Sequence, residues 1–156
     1  KNFVIKDGLI GFKGYSIIKQ FGTELDNALY RETYDATASS ISKYRQVCDQ
    51  LTDISNAVSP PIKRHIEATW LCYANTMRCL YGWYANLYEA KQYYDNRQSQ
   101  ETIDALLRAC ELLETLLAYR TCAEYGKFQN WYRGDLKINV QQLLTDTKRL
   151  LGRTAF

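Results

Sequence analysis

Between Ile62 and Tyr94 the apolar and aromatic residues fall at Ile66, Trp70, Tyr73, Met77, Leu80, Tyr84, Leu87 and Tyr94, alternately four and three positions apart, with Lys91 in the one polar slot. That spacing lines one face of a helix and excludes a strand, whose faces alternate every second residue. At ~1.5 Å per residue the stretch is a rod of roughly 50 Å. A seam so rich in aromatic surface needs other helices to cover it, and the pattern places Trp70 in the core.

The rest of the chain supplies that cover. Thr23 to about Val58 reads as a first long helix, with an inward stripe of Leu25, Leu29, Ile41, Tyr44, Cys48, Leu51, Ile54 and Val58 and a weak middle where a break near Ser39–Ser40 is expected. Ser59-Pro60-Pro61 holds both prolines of the chain. Proline is tolerated in a first helical turn, so one helix ends and the next begins there, and so short a link makes the pair antiparallel. After the polar turn Asp95–Ser99, a third helix carries Ile103, Leu106, Leu107, Cys110, Leu113 and Leu117, and fades at Gly126, a residue suited to a left-handed helix end. A shorter helix starts at Asn139, where Asn139 and Gln142 form a capping-box pattern, and Gly152 is expected to stop it. Residues 1–22, with Gly8, Gly11, Gly14 and Gly22, read as an irregular N-terminal arm or interdomain connector, with a turn at Asp7-Gly8 and contacts through Phe3, Ile5, Ile10, Phe12, Tyr15 and Phe21. The expected fold is therefore all-α: an antiparallel up-and-down bundle over 23–156, three long helices plus a shorter fourth.

Composition narrows the function classes. A chain of 156 residues with 46% hydrophobic and 24% charged residues can bury a core and is neither disordered nor membranous. No apolar run approaches the ~20 residues of a membrane span, and no signal-peptide pattern opens the chain. The first residue is not Met, so a processed product or a piece of a longer protein is expected. Residues 1–22 carry four Lys and one Asp, and residues 127–153 carry six basic and two acidic groups. These basic ends either lie together as a patch for an acidic partner or balance the acidic first helix. Neither has the dense footprint of a nucleic-acid binder. The odd set Cys48, Cys72, Cys79, Cys110 and Cys122 sits inside helical patterns and reads as core thiols of a reduced, cytoplasmic-type protein.

No catalytic constellation emerges. His65 is the only histidine, so a zinc or di-iron site, which draws on several His or Cys ligands, is not expected, nor is any other cofactor. The pairs Glu111 with Glu114 and Glu101 with Asp104 are interspersed with Arg97 and Arg108 and read as a solvated face rather than a glycosidase acid–base pair. Two surfaces remain as candidate binding sites. One is the tyrosine-rich flank of the second helix, with Tyr81, Trp83 and Tyr88 off the seam; the chain has 13 tyrosines, and they serve either internal packing or an interface. The other is the connector around Trp131, Tyr132, Arg133 and Asp135, which either plugs the bundle end or offers aromatic faces and polar groups to a sugar.

The order Gly8-Leu9-Ile10-Gly11-Phe12-Lys13-Gly14-Tyr15, a long helical stretch, then Gly126-Lys127 and Trp131-Tyr132-Arg133-Gly134-Asp135-Leu136-Lys137 resembles the helical C-terminal accessory regions that follow the catalytic barrel in large multidomain bacterial glycoside hydrolases. The resemblance implies a non-catalytic module that packs on or assists a catalytic domain, has other domains or carbohydrate as partners, and works in a periplasmic or secreted setting as readily as in the cytoplasm. The residues alone also fit a stand-alone protein–protein interaction bundle, including a homodimer.

Overall fold

The computed structural model describes residues 2–23, 27–126 and 139–154. It is all-α, with no strand among the described residues. The helices are α1 (Asn2–Lys19), α2 (Asn27–Asn56), α3 (Pro60–Ile66), α4 (Cys72–Asp95), α5 (Ser99–Ala123) and α6 (Val140–Thr154). A π-helical turn, Glu67–Leu71, joins α3 to α4, so the predicted rod exists as one run from Pro60 to Asp95.

The helix α4 is the centre of the bundle, packed against α1, α2 and α5, while α6 closes over α5. Contacts fix the directions. Tyr34 on α2 reaches Glu89, and Cys48 reaches Asn75, so α2 is antiparallel to α4. Arg108 on α5 donates to Asn86, and Arg78 to Tyr119, which makes α5 antiparallel as well. In α6, Lys148 pairs with Glu114 at 2.6 Å. The seam is buried at Met77, Leu80, Tyr84, Leu87 and Lys91. Lys91 Nζ donates there to the half-exposed Asp95 carboxylate, 2.6 Å away, so the buried polar slot has an ionic partner.

The first 22 residues are not an irregular arm. Asn2–Lys19 is helical, and Asp7-Gly8 lies inside that helix instead of turning the chain. Packing overrides the low helix propensity of glycine here. Ile10 and Ile17 are buried, and a Cβ on Gly14 would stand 2.3 Å from the Trp83 ring, so the absence of a side chain lets α1 approach α4. Phe12, expected on the inner face, is exposed; the side chains of Phe3 and Ile5 lie outside the described residues.

Smaller differences have local causes. The helix α2 runs unbroken through Ser39–Ser40, where Ser40 satisfies its hydroxyl on the carbonyl of Ala36. Gly152 does not stop α6, which continues to Thr154; helical glycine costs only about 1 kcal/mol. Gly126 has a left-handed φ of +51°, but it does not end α5 as expected: the helix stops at Ala123, where Glu124 is extended. The Asn139 side chain accepts the Gln142 N–H at 3.0 Å, as the capping pattern predicts.

Candidate docking surface

Trp83 and Tyr88, which the sequence leaves open between internal packing and an interface, are internal. Trp83 is 0% exposed, and its indole N–H donates to Thr147 Oγ1 at 3.2 Å. Tyr88 is buried and stacks on Tyr34, ring centroids 4.7 Å apart. The reason is the number of neighbours: α1 and α6 cover Trp83, and α2 covers Tyr88. Tyr81 is half-buried and stacks on Tyr44. Trp131, Tyr132, Arg133 and Asp135 lie outside the described residues.

The exposed aromatic surface lies elsewhere. Trp70, read as core from the seam, is 64% exposed, and Tyr73 is 47% exposed. For Trp70 the π-turn is the local cause, whereas Tyr73 lies beyond it at the start of α4. The Cys72 N–H reaches back to the carbonyl of Glu67, five residues earlier, so the turn holds one residue more than an α-turn. Inward positions within the turn are thereby displaced: Ala68 faces the interior, as does Cys72 just after it, and Trp70 turns outward. The four-three spacing runs through Ile66, Trp70 and Tyr73 without a break, so apolar pattern alone carries no sign of the turn. The small residues Ala68 and Cys72, four apart where close packing against α5 is needed, are the available clue.

Ile62 is exposed on the same rod, and Val47 and Ile54, seven apart on one face of α2, are exposed as well. Most large apolar side chains of α4 are buried, and this concentration at the α2–α3 end stands out against them. Scattered exposed apolar residues are ordinary; contiguous ones mark contact surfaces.

Two clefts flank this region and the opposite end. The first, about 480 Å³, is lined by Pro60, Lys63, Arg64, Glu67, Ala68, Leu71, Cys72, Tyr119 and Cys122. The second, about 190 Å³, lies between α1 and α6, where Lys19, Arg149 and Arg153 gather beside Tyr15 and Asp146. The two basic ends of the chain thus do meet. Lys19 lies over the Tyr15 ring, and Arg149 pairs with Asp146 at 3.0 Å, so internal partners engage two of the three cations.

The thiols are not arranged for chemistry. Cys48, Cys72, Cys79 and Cys110 are buried, Cys122 is exposed, and none of them forms a disulfide. Burial pushes the Cys79 and Cys110 thiols from 9.0 up to about 11, which removes thiolate character at neutral pH. The Tyr34 hydroxyl, donating to Glu89 at 2.7 Å, is pushed up to about 12 by that bond first and by burial second. Because these groups hold their protons more tightly when folded, their contribution is complete below about pH 9 and is lost as pH rises from there towards 12. The urea midpoint is expected to fall steadily over that interval; a midpoint unchanged to pH 11 would contradict it.

Among the described residues, no group of three or more His, Cys, Asp or Glu is suited to a metal ion, and no helix is long and apolar enough to cross a membrane. Compared with known proteins, the chain matches no family model, no curated protein and no solved structure.

Proposed function

We propose that this chain is a non-catalytic helical docking module whose partner, another folded protein or domain, sits on the exposed apolar face of the α2–α3 hairpin. The observation that carries the reading is Trp70, 64% exposed on the same helical rod as exposed Ile62 and Tyr73. Tryptophan and tyrosine are the residues that dominate binding energy when a partner covers them. Burying such surface contributes roughly 25 cal/mol per Å², which gives the surface a reason to persist uncovered in the free chain. The narrower reading, an accessory module of a carbohydrate-active protein, is supported by the sequence resemblance at Gly8–Tyr15 and Trp131–Lys137. The partner is then the neighbouring catalytic domain.

Trp70→Ala is expected to leave stability within about 0.5 kcal/mol, as surface changes usually do. A photo-crosslinking residue at position 70, in cells that make the protein, is expected to give one discrete adduct, lost when Ile62 and Ile54 are changed to glutamate in a chain of unaltered melting. An adduct with a second copy identifies a homodimer. Labelling no more discrete at position 70 than at exposed Asn96 would sink the reading.

A further inference from the structure

We infer that the cleft beside the π-turn is a binding site for an amphipathic carboxylate, apolar body on its floor and acid head at Arg64. Three observations converge. The cleft, open on one side, offers about 480 Å³, within the ~300–1,000 Å³ typical of small-molecule sites. Its floor is apolar, made by Ala68, Leu71, Cys72 and the side of Tyr119, and the π-turn shapes it by bringing Ala68 and Cys72 inward on the α5 side. π-Turns recur where helices are adapted to function. Its rim carries two cations with different commitments. Lys63 is occupied, donating to Asn56 Oδ1 at 2.8 Å and lying 3.8 Å from Glu67. Arg64 makes no ion pair among the described residues, and its guanidinium is held over the Tyr125 ring, 4.4 Å from the centroid.

That placement decides the ligand class. A guanidinium fixed on an aromatic face keeps its N–H edge directed outward, and a carboxylate is the group that edge matches. Lys63 answers the negative charge of Glu67, so the acid head meets a net positive rim. An apolar floor with a single anchoring cation suits a body of several carbons and one acid group, rather than a phosphate or an oligosaccharide.

Cys122 supplies the readout, since it lines the cleft and is exposed while the other four thiols are buried. Alkylation of Cys122 by neutral iodoacetamide is followed with decanoate, decanol and acetate as probes. Decanoate is expected to slow alkylation at least tenfold at saturation, with one site per chain by calorimetry. Acetate, which lacks the body, is expected to give no protection, and decanol, which lacks the acid, at least tenfold weaker protection. Arg64→Gln is expected to weaken decanoate at least tenfold without changing the melting temperature or the unprotected alkylation rate. Equal protection by decanol and decanoate would overturn the acid-head assignment. Absence of any decanoate protection in the folded wild-type chain, or decanoate binding that Arg64→Gln leaves unchanged, would overturn the site. Amide shifts confined to the Trp70 face would do the same, and would leave the docking reading standing.

Discussion

Trp83→Ala is expected to cost about 3–5 kcal/mol, the range for truncating a fully buried aromatic residue. Trp83 is 0% exposed and stands where α1, α4 and α6 meet: its ring lies against Gly14, and its N–H donates to Thr147. Alanine leaves a cavity bounded by three helices, which cannot all collapse into it. Trp83→Phe should cost distinctly less, because Thr147 keeps its own bond to the Leu143 carbonyl and is not orphaned. Urea unfolding of both variants checks the order. A Trp83→Ala chain within 1 kcal/mol of the parent would mean that the three helices do not share this contact.

Gly14→Ala tests the same junction from the other side, and two effects of opposite sign compete. Alanine is the better helix former by about 1 kcal/mol. The added methyl, however, would fall 2.3 Å from the Trp83 ring, and overpacking a tight core costs roughly 1–3 kcal/mol. The separation is far inside van der Waals contact and the indole is wedged on every side, so the clash should win. Net destabilisation of about 1–2 kcal/mol is expected. In a Trp83→Leu background the obstacle is gone, and Gly14→Ala should become neutral or stabilising. The two substitutions are therefore expected to couple strongly in a double-mutant cycle; simple additivity would remove Trp83 as the reason for glycine.

This junction also marks where sequence reasoning stopped. The downstream seam was legible because Met77, Leu80, Tyr84, Leu87 and Lys91 keep an unbroken helical period and are all buried. Ser59-Pro60 announced the hairpin, and Asn139 announced a helix start, because their chemistry acts locally; Gly126 did not, since α5 ends three residues before it. The helix α1 was not legible, since three glycines within eight residues argue against a helix until the Trp83 ring that needs one of them is known. Trp83 could not be assigned between core and interface for the same reason: its position off the seam is covered by the element that the glycines concealed. The candidate surface was misplaced through a different cause. A π-turn changes the phase of a helix through backbone hydrogen bonding, and the side-chain pattern of Ile66, Trp70 and Tyr73 reads equally well with or without it.

One consequence of the π-turn concerns how this chain can vary. Pro60 to Asp95 is a single rod, yet its halves obey different rules. Downstream, Leu80, Trp83, Tyr84 and Leu87 are each 1% exposed or less and interlock with other helices. Upstream, Ile62 and Trp70 are more than half exposed and owe the core little. A library randomised at the downstream quartet should return few folded chains, and one randomised at Ile62, Ile66 and Trp70 should return many. The outward half of the rod is thus free to diversify its contacts, while the inward half keeps every such variant on one scaffold.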